Sequence, residues 1–279
     1  MHFLKARYKL RLLATTYAAC AATMFGWGIG VQAQADFPHR SVRMVNPYTP
    51  GGSVDLVGRA LAAGLSEIWG HQVIVDNRPG AGTMIGSEIV VRAEPDGYTM
   101  LCTSSTIAIL SSMYKNMRFD PARDLSAVAL AAVSPFMLVV NAGLPAKSVQ
   151  ELIALAKAQP GQITAASSGV GTTNHLTPEL ILSITKTRML HVPYKGSGLA
   201  LIGLVGGHVD VLIMAAPAAA EQVKSGKARG LLILSTERFP PLPDVPSAKD
   251  EGVVDYIVRL WYGILAPAGT PANLIGRLN

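Results

Sequence analysis

Cysteine is almost missing from this chain: among 279 residues there are two, Cys20 and Cys102. Cys20 falls in a basic and then apolar leader and follows Tyr17-Ala18-Ala19, without the leucine of a lipidation site. A chain cut after residue 35 keeps only Cys102, so no internal disulfide forms even in an oxidising compartment. Charge is sparse at 15% of residues, with no block of one sign. The leader carries Lys5, Arg7, Lys9 and Arg11 and no acid, so removing it leaves 20 basic residues against 18 acidic ones, a net +2. That balance gives no support to nucleic-acid binding. No apolar run beyond residue 36 is long enough to span a bilayer.

Catalytic patterns are missing too. There is no Gly-Lys-Ser/Thr phosphate loop and no Gly-x-Ser-x-Gly elbow. Gly80-Ala-Gly-Thr-Met-Ile-Gly86 has a dinucleotide-like spacing, but Asn77-Arg-Pro79 breaks the strand-to-helix passage such a turn needs. Glu94 and Asp96 sit in a Pro-Asp-Gly turn, not as paired catalytic carboxylates. His175 and Glu179 stand four apart, as two metal ligands do, yet no third ligand follows at a sensible spacing. The expectation is a protein that is not an enzyme, with no cofactor and no metal.

The first 35 residues read as a signal peptide: a basic start, an apolar run over 12–31, and the small-x-small site Ala33-Gln34-Ala35 before Asp36. The run would also serve as an uncleaved anchor. Cleavage leaves 244 of the 279 residues, enough for two modest α/β lobes. The chain ends at Arg277-Leu-Asn279, which reads as short at its C-terminus.

Beyond the leader, strand-like runs at 42–45, 72–75, 99–102, 136–140, 163–166, 190–192, 209–214 and 230–234 alternate with helical patterns. The helices are expected over 54–69, 84–93, 149–158, 176–184, 199–205 and 218–225. Such alternation predicts parallel sheets covered by helices. Residues 120–134 and 239–246 lack a clean period and are expected to be crossings between lobes or surface loops. In the first helix, Val54, Val57, Leu61, Leu65 and Ile68 form one apolar face. Ser53 is placed to be its N-cap, leaving Gly51 and Gly52 where an anion could meet unpaired N–H groups at the positive end of the helix. Polar loops follow four of the strands: residues 48–53, with Tyr48; the hydroxyl cluster 103–106, with Ser104 and Ser105; residues 167–175; and residues 215–217. Open parallel sheets bind ligands outside the carboxyl ends of their strands, so these loops point to a cleft.

The same residues carry a resemblance. Arg40-Ser-Val-Arg43, Pro50-Gly-Gly-Ser-Val-Asp55, Asp76-Asn-Arg-Pro-Gly-Ala-Gly82, Pro95-Asp-Gly-Tyr-Thr99, Gly169-Val-Gly-Thr172 with His175-Leu176, His191-Val-Pro-Tyr-Lys-Gly196, Gly206-Gly-His-Val-Asp210 and Trp261-Tyr-Gly263 occur in order. The set resembles the substrate-binding proteins of tripartite tricarboxylate transporters, the Bug-type periplasmic receptors, from about residue 37 to the end. The resemblance implies an α/β, two-lobed periplasmic-binding-protein type II fold with a hinge and an interlobe ligand cleft. Residues 36–130 and 255–279 would form lobe 1 and residues 131–254 lobe 2. It also implies a small mono- or dicarboxylate held largely by backbone N–H groups, which fall here at residues 51–53 and 168–173. The expected ligand-binding residues are therefore Tyr48, Gly51, Gly52, Ser53, Asp55, Ser104, Ser105, Ser168, Gly169, Gly171, Thr172, Thr173, Tyr194 and Lys195.

Several of these have a plainer reading beside the functional one. Asp55 either reads the ligand or simply favours the first turn of its helix. His175 reads as a structural partner of its loop, and Lys195 either brings charge to the cleft or is a solvated surface residue. Pro178 lies early in its helix; if Thr177 were the cap, the anion site would move by a turn. The resemblance implies a periplasmic monomer that hands its ligand to membrane transporter subunits and binds no nucleic acid. The alternative is a carboxylate sensor signalling to a membrane two-component kinase; either would work by ligand-stabilised closure.

Overall fold

In the computed structural model, which describes residues 37–279, each apolar run anticipated beyond the leader becomes a strand. The signal segment 1–35 and Cys20 lie outside the described residues. The strands are β1 (Val42–Asn46), β2 (Val73–Asn77), β3 (Thr99–Ser104), β4 (Leu125–Asn141), β5 (Thr164–Ser167), β6 (Leu190–Pro193), β7 (Val211–Ala215), β8 (Ala228–Ile233) and β9 (Arg259–Pro267). The helices are α1 (Ser53–Trp69), α2 (Met84–Val91), α3 (Thr106–Met113), α4 (Pro121–Asp124), α5 (Val149–Ala158), α6 (Thr173–Thr185), α7 (Ser197–Val205), α8 (Ala216–Lys224) and α9 (Ala272–Leu278).

The sheet runs β2-β1-β3-β9-β4-β7-β5-β6, with β8 paired to β4. In its first half β1 is parallel to β2 and β3; in its second β5 is parallel to β6 and β7. The 17-residue β4 joins them. Its residues from Leu125 to Pro135 pair antiparallel with β9, and those from Phe136 to Val140 pair antiparallel with β7. One apolar core, with Val45, Val90, Leu101 and Leu110, lies against the first half, and another, with Met137, Leu204, Leu212 and Met214, against the second. This is a two-lobed α/β fold of the periplasmic-binding-protein type.

Four local readings are corrected or sharpened. Residues 120–134, expected as a crossing between lobes or a surface loop, make the crossing in regular structure: Asp120 caps α4 by accepting from the Ala122 N–H, and β4, which joins the two halves, begins at Leu125. The period was masked because the register shifts twice, between Ala127 and Ala129 and between Leu130 and Ala132. Helix α1 turns a different face inward, burying Val54, Asp55, Gly58 and Ala62 and leaving Ile68 78% exposed. A Cβ on Gly58 would stand 3.4 Å from Cys102 Sγ, so the helix meets the sheet along its small residues, more closely than its leucines would allow. Gly52, not Ser53, is the N-cap of α1, and the Ser53 side chain lies near the Tyr262 hydroxyl instead. Finally, α6 starts after Thr172 and runs through Pro178, so Thr177 is no cap; its hydroxyl donates to the Thr173 carbonyl at 2.8 Å.

Candidate functional site

The parallel strands β1, β2, β5 and β6 end around one cavity of about 340 Å³. Its wall is made by Pro47 and Tyr48 after β1, residues 80–84 after β2, residues 168–170 after β5, and residues 193–195 at the end of β6, with Tyr114 beyond α3. Lys195 is the single charged residue in that wall, and no carboxylate lines it. A larger groove of about 560 Å³ opens beside the C-terminal ends of α5 and α6. There Lys157 and Lys186 stand at helix C-termini, where cations offset the helix dipole without any ligand.

Residues 80–83 form a left-handed turn, with φ of 138°, 47°, 62° and 88° in succession. Glycine at 80 and 82 takes such angles freely, but the β-branched Thr83 at 88° is strained by about 1–3 kcal/mol. The Thr83 Oγ1 is also buried without a hydrogen-bond partner. A Cβ on Gly82 would lie 2.7 Å from the Val170 carbonyl oxygen and 2.8 Å from the Tyr114 hydroxyl. The turn thus presses against the loop of the other half of the sheet, and it feeds directly into α2, whose first residue Met84 lines the cavity.

Of the residues expected to bind ligand, Tyr48, Ser168, Gly169, Tyr194 and Lys195 line this cavity. The Tyr48 hydroxyl is 2.8 Å from Ser104 Oγ, and burial pushes its pKa up. Ser104, Ser105, Thr172 and Thr173 do not line it. They belong to a buried hydroxyl seam in which Ser105 Oγ and Thr106 Oγ1 meet Thr173 Oγ1 at 3.0 and 3.2 Å, while Ser168 Oγ bonds Thr172 Oγ1 at 3.1 Å. That seam ties the end of β3 to the start of α6. Gly171 lies under the Tyr114 ring. Gly51 and Gly52 pack on α7 instead of facing the cavity: a Cβ on Gly52 would stand 2.9 Å from Ser197 Oγ.

Many of the N–H groups expected to clamp an anion already have partners. Gly51 donates to Asp55 Oδ2 (3.0 Å), Gly169 to Ser167 Oγ (3.1 Å), Gly171 to His175 Nδ1 (3.2 Å) and Thr173 to Thr106 Oγ1 (3.2 Å). Asp55 is structural in this geometry, only 2% exposed. Besides Gly51 it accepts from Arg59 Nε (2.8 Å) and Asn77 Nδ2 (2.9 Å). Burial alone would raise its pKa, but these donors outweigh it and hold the carboxyl below its ordinary value. His175 stacks on His191 with ring centroids 4.0 Å apart, and His191 Nε2 lies 2.6 Å from Ser167 Oγ. Both imidazoles therefore brace the 167–175 loop from behind.

Sequence reasoning missed residues 80–84 and Tyr114. For the turn a signal existed, the paired glycines of Arg78-Pro-Gly-Ala-Gly82, which mark close backbone approach once a dinucleotide turn is ruled out. Tyr114 carried none, since it ends α3, a helix with no clear amphipathic period. Among the described residues no group of three His, Cys, Asp or Glu could hold a metal ion, and no helix is long and apolar enough to cross a membrane.

A family model described as "Tripartite tricarboxylate transporter family receptor" matches residues 57–279. The protein BugT of Bordetella pertussis is 37% identical over 255 residues, covering 90% of this chain and 78% of BugT. Among solved structures, R. palustris Rpa4515 with adipate is 36% identical with a TM-score of 0.83, over 87% of this chain and 82% of that one. MatC (Rpa3494) from Rhodopseudomonas palustris with bound malate is 30% identical with a TM-score of 0.83, over 87% and 83%.

Proposed function

Because the chain belongs to the tripartite tricarboxylate transporter receptor family, we propose that it captures a small mono- or dicarboxylate in the cavity between β1, β2, β5 and β6. The observation that carries this reading is the charge of the wall: one lysine, no carboxylate, and the positive end of α2 entering at Met84. Two relatives of this fold are described as holding adipate and malate. The family is one of solute-binding receptors, not enzymes. Tyr48, Ser168, Gly169, Tyr194 and Lys195, with residues 80–84, are the proposed ligand contacts. A hydrogen bond to a charged group contributes about 1.5–3 kcal/mol and micromolar affinity needs about 8 kcal/mol, so a carboxylate must add to the Lys195 charge by sharing donors that are paired in this structure, the Gly169 N–H and the Ser168 hydroxyl among them.

The rest of the reading follows from family and topology. Residues 36–130 with 255–279 form one lobe and residues 131–254 the other; the change of β4 partner at residues 135–136 supports a division close to there. The leader exports the chain to the periplasm, where it acts as a monomer and delivers its ligand to membrane transporter subunits. A thermal-melt screen of the mature protein tests this. At a ligand concentration a hundred times Kd the fold gains about 2.7 kcal/mol, a rise of roughly 5–11 °C for a chain of this size. One carboxylate of a panel that includes malate and adipate should give that rise while sugars and amines give none. A shift with a sugar or an amine and none with any carboxylate would refute the proposal.

A further inference from the structure

Tyr114 belongs by its base to one half of the sheet and by its tip to the other. Its ring packs against the core of Val45, Val90, Leu101 and Leu110, while its hydroxyl donates to the Val170 carbonyl at 3.1 Å, in the loop after β5. Glycine faces the phenol on both sides. A Cβ on Gly82 would lie 2.8 Å from the Tyr114 hydroxyl, and one on Gly171 would lie 3.2 Å from it. Both glycines have positive φ, 62° and 78°, so each also serves its own turn. The phenol is therefore held in a slot that only two side-chain-free positions can form, in the wall of the cavity. The turn beside it is strained at Thr83 and packs closely on the Val170 carbonyl.

We propose that Tyr114 is the latch of the cavity, a positioning residue that holds the closed form together and sets how long a ligand stays. This rests on the carboxylate reading for its ligand, but not for its mechanics. Opening the two halves must withdraw the phenol from its slot and break the bond to Val170, so the latch acts on release more than on capture. A phenylalanine keeps the ring and its packing on the core and removes only that bond. One hydrogen bond of ordinary net strength then changes release by about 2- to 13-fold.

The test uses Tyr114→Phe in the mature chain with two readouts. The first needs no ligand: spin labels at Glu67→Cys on α1 and Glu221→Cys on α8 report the distance between the halves. The variant should shift the population toward longer distances. In the second, dissociation of malate or adipate is followed by stopped-flow fluorescence. The variant should release whichever binds about 2- to 13-fold faster, with association little changed. A distance distribution identical to that of the parent chain, or release at the parent rate, overturns the latch while leaving the carboxylate reading intact. Should no carboxylate bind the parent chain, that reading fails, and the ligand-free distances alone decide the latch.

Discussion

Gly198→Ala separates the stability of this fold from its closure. Gly198 is the second residue of α7, and its φ needs no glycine. Alanine is the better helix former there by about 0.5–1 kcal/mol, so the variant should fold at least as well as the parent. Its Cβ, however, would stand 2.9 Å from the Gly51 carbonyl carbon and 3.1 Å from both the Gly51 oxygen and the Gly52 nitrogen. All three are backbone atoms of the loop after β1, which no rotamer change can move. Overpacking of this kind costs about 1–3 kcal/mol, and the cost falls only on the form in which α7 and that loop touch. The helix gain is common to open and closed forms and cancels in the binding equilibrium. Affinity should therefore fall roughly 5- to 150-fold, while the ligand-free melting temperature stays level or rises by about 1–4 °C. Titration calorimetry with malate and adipate, beside ligand-free melts, checks both halves of the argument. Unchanged affinity would show that the bound form does not bring Gly51 onto α7. A ligand-free melting point several degrees lower would show that this contact belongs to the fold and not to closure.

The other predictions concern single side chains. Lys195→Gln removes the one charge in the cavity wall; because the lysine is exposed, about 1 kcal/mol or a fivefold loss of carboxylate affinity is expected, shrinking with added salt in a titration series. Asp55→Ala leaves the Gly51 N–H and Asn77 Nδ2 without their acceptor, while the half-exposed Arg59 turns to water; it should cost about 1–3 kcal/mol, read as a melting temperature roughly 2–12 °C lower, and loss of affinity with an unaltered melt would make Asp55 a ligand contact instead. Its depressed pKa means that its contribution is present above the unfolded value near 4 and is lost as pH falls through the folded value. His191 also sits below its ordinary value, through burial and then the neighbouring His175. The unfolded chain takes up that proton first, so stability should fall as pH drops below about 6.5, and urea melts between pH 7.5 and 5.5 should flatten in His191→Gln.

How much of this was legible in the sequence follows from what each element buries. β1, β3, β5 and β7 lie between helices or other strands and so read as short apolar runs. The first part of β4 and all of β9 were not recognised as strands. In β4 two register shifts break the alternation, and its alanines hardly distinguish inside from outside. The face of α1 was misjudged because hydropathy favours leucine, whereas the sheet selects the small residues that permit close approach. Of the four strand-end loops anticipated, those over 48–53 and 167–175 contribute to the cavity wall, whereas 103–106 and 215–217 do not line it; the rule that ligand-binding groups gather at the carboxyl ends of parallel strands pointed to the region but not to the turn after β2.

Which groups in those loops meet the cavity is a different kind of information. The sequence places Gly51, Gly171 and Thr173 beside helix starts, where N–H groups are unpaired in an isolated helix. In the folded chain Asp55, His175 and Thr106 take those donors, because the same sequence also supplies acceptors within reach. Side chains then decide the character of the cavity, and three of those in its wall are tyrosines. The Tyr48 hydroxyl is turned to Ser104, that of Tyr114 to Val170, and that of Tyr194 packs against Gly203, so all three present mainly ring to the cavity. With the polar tips tied elsewhere, the Lys195 ammonium dominates the field in a wall of rings and backbone. On the carboxylate reading proposed above, such a wall would attract any small anion of suitable size and discriminate by shape, through where the rings stand. Selectivity among carboxylates should therefore respond more to Tyr48 and Tyr194 than to the glycines of the first loop. The relative affinities of Tyr194→Leu for malate and adipate, against those of Gly51→Ala, decide that point: the ratio should change in the former and stay constant in the latter.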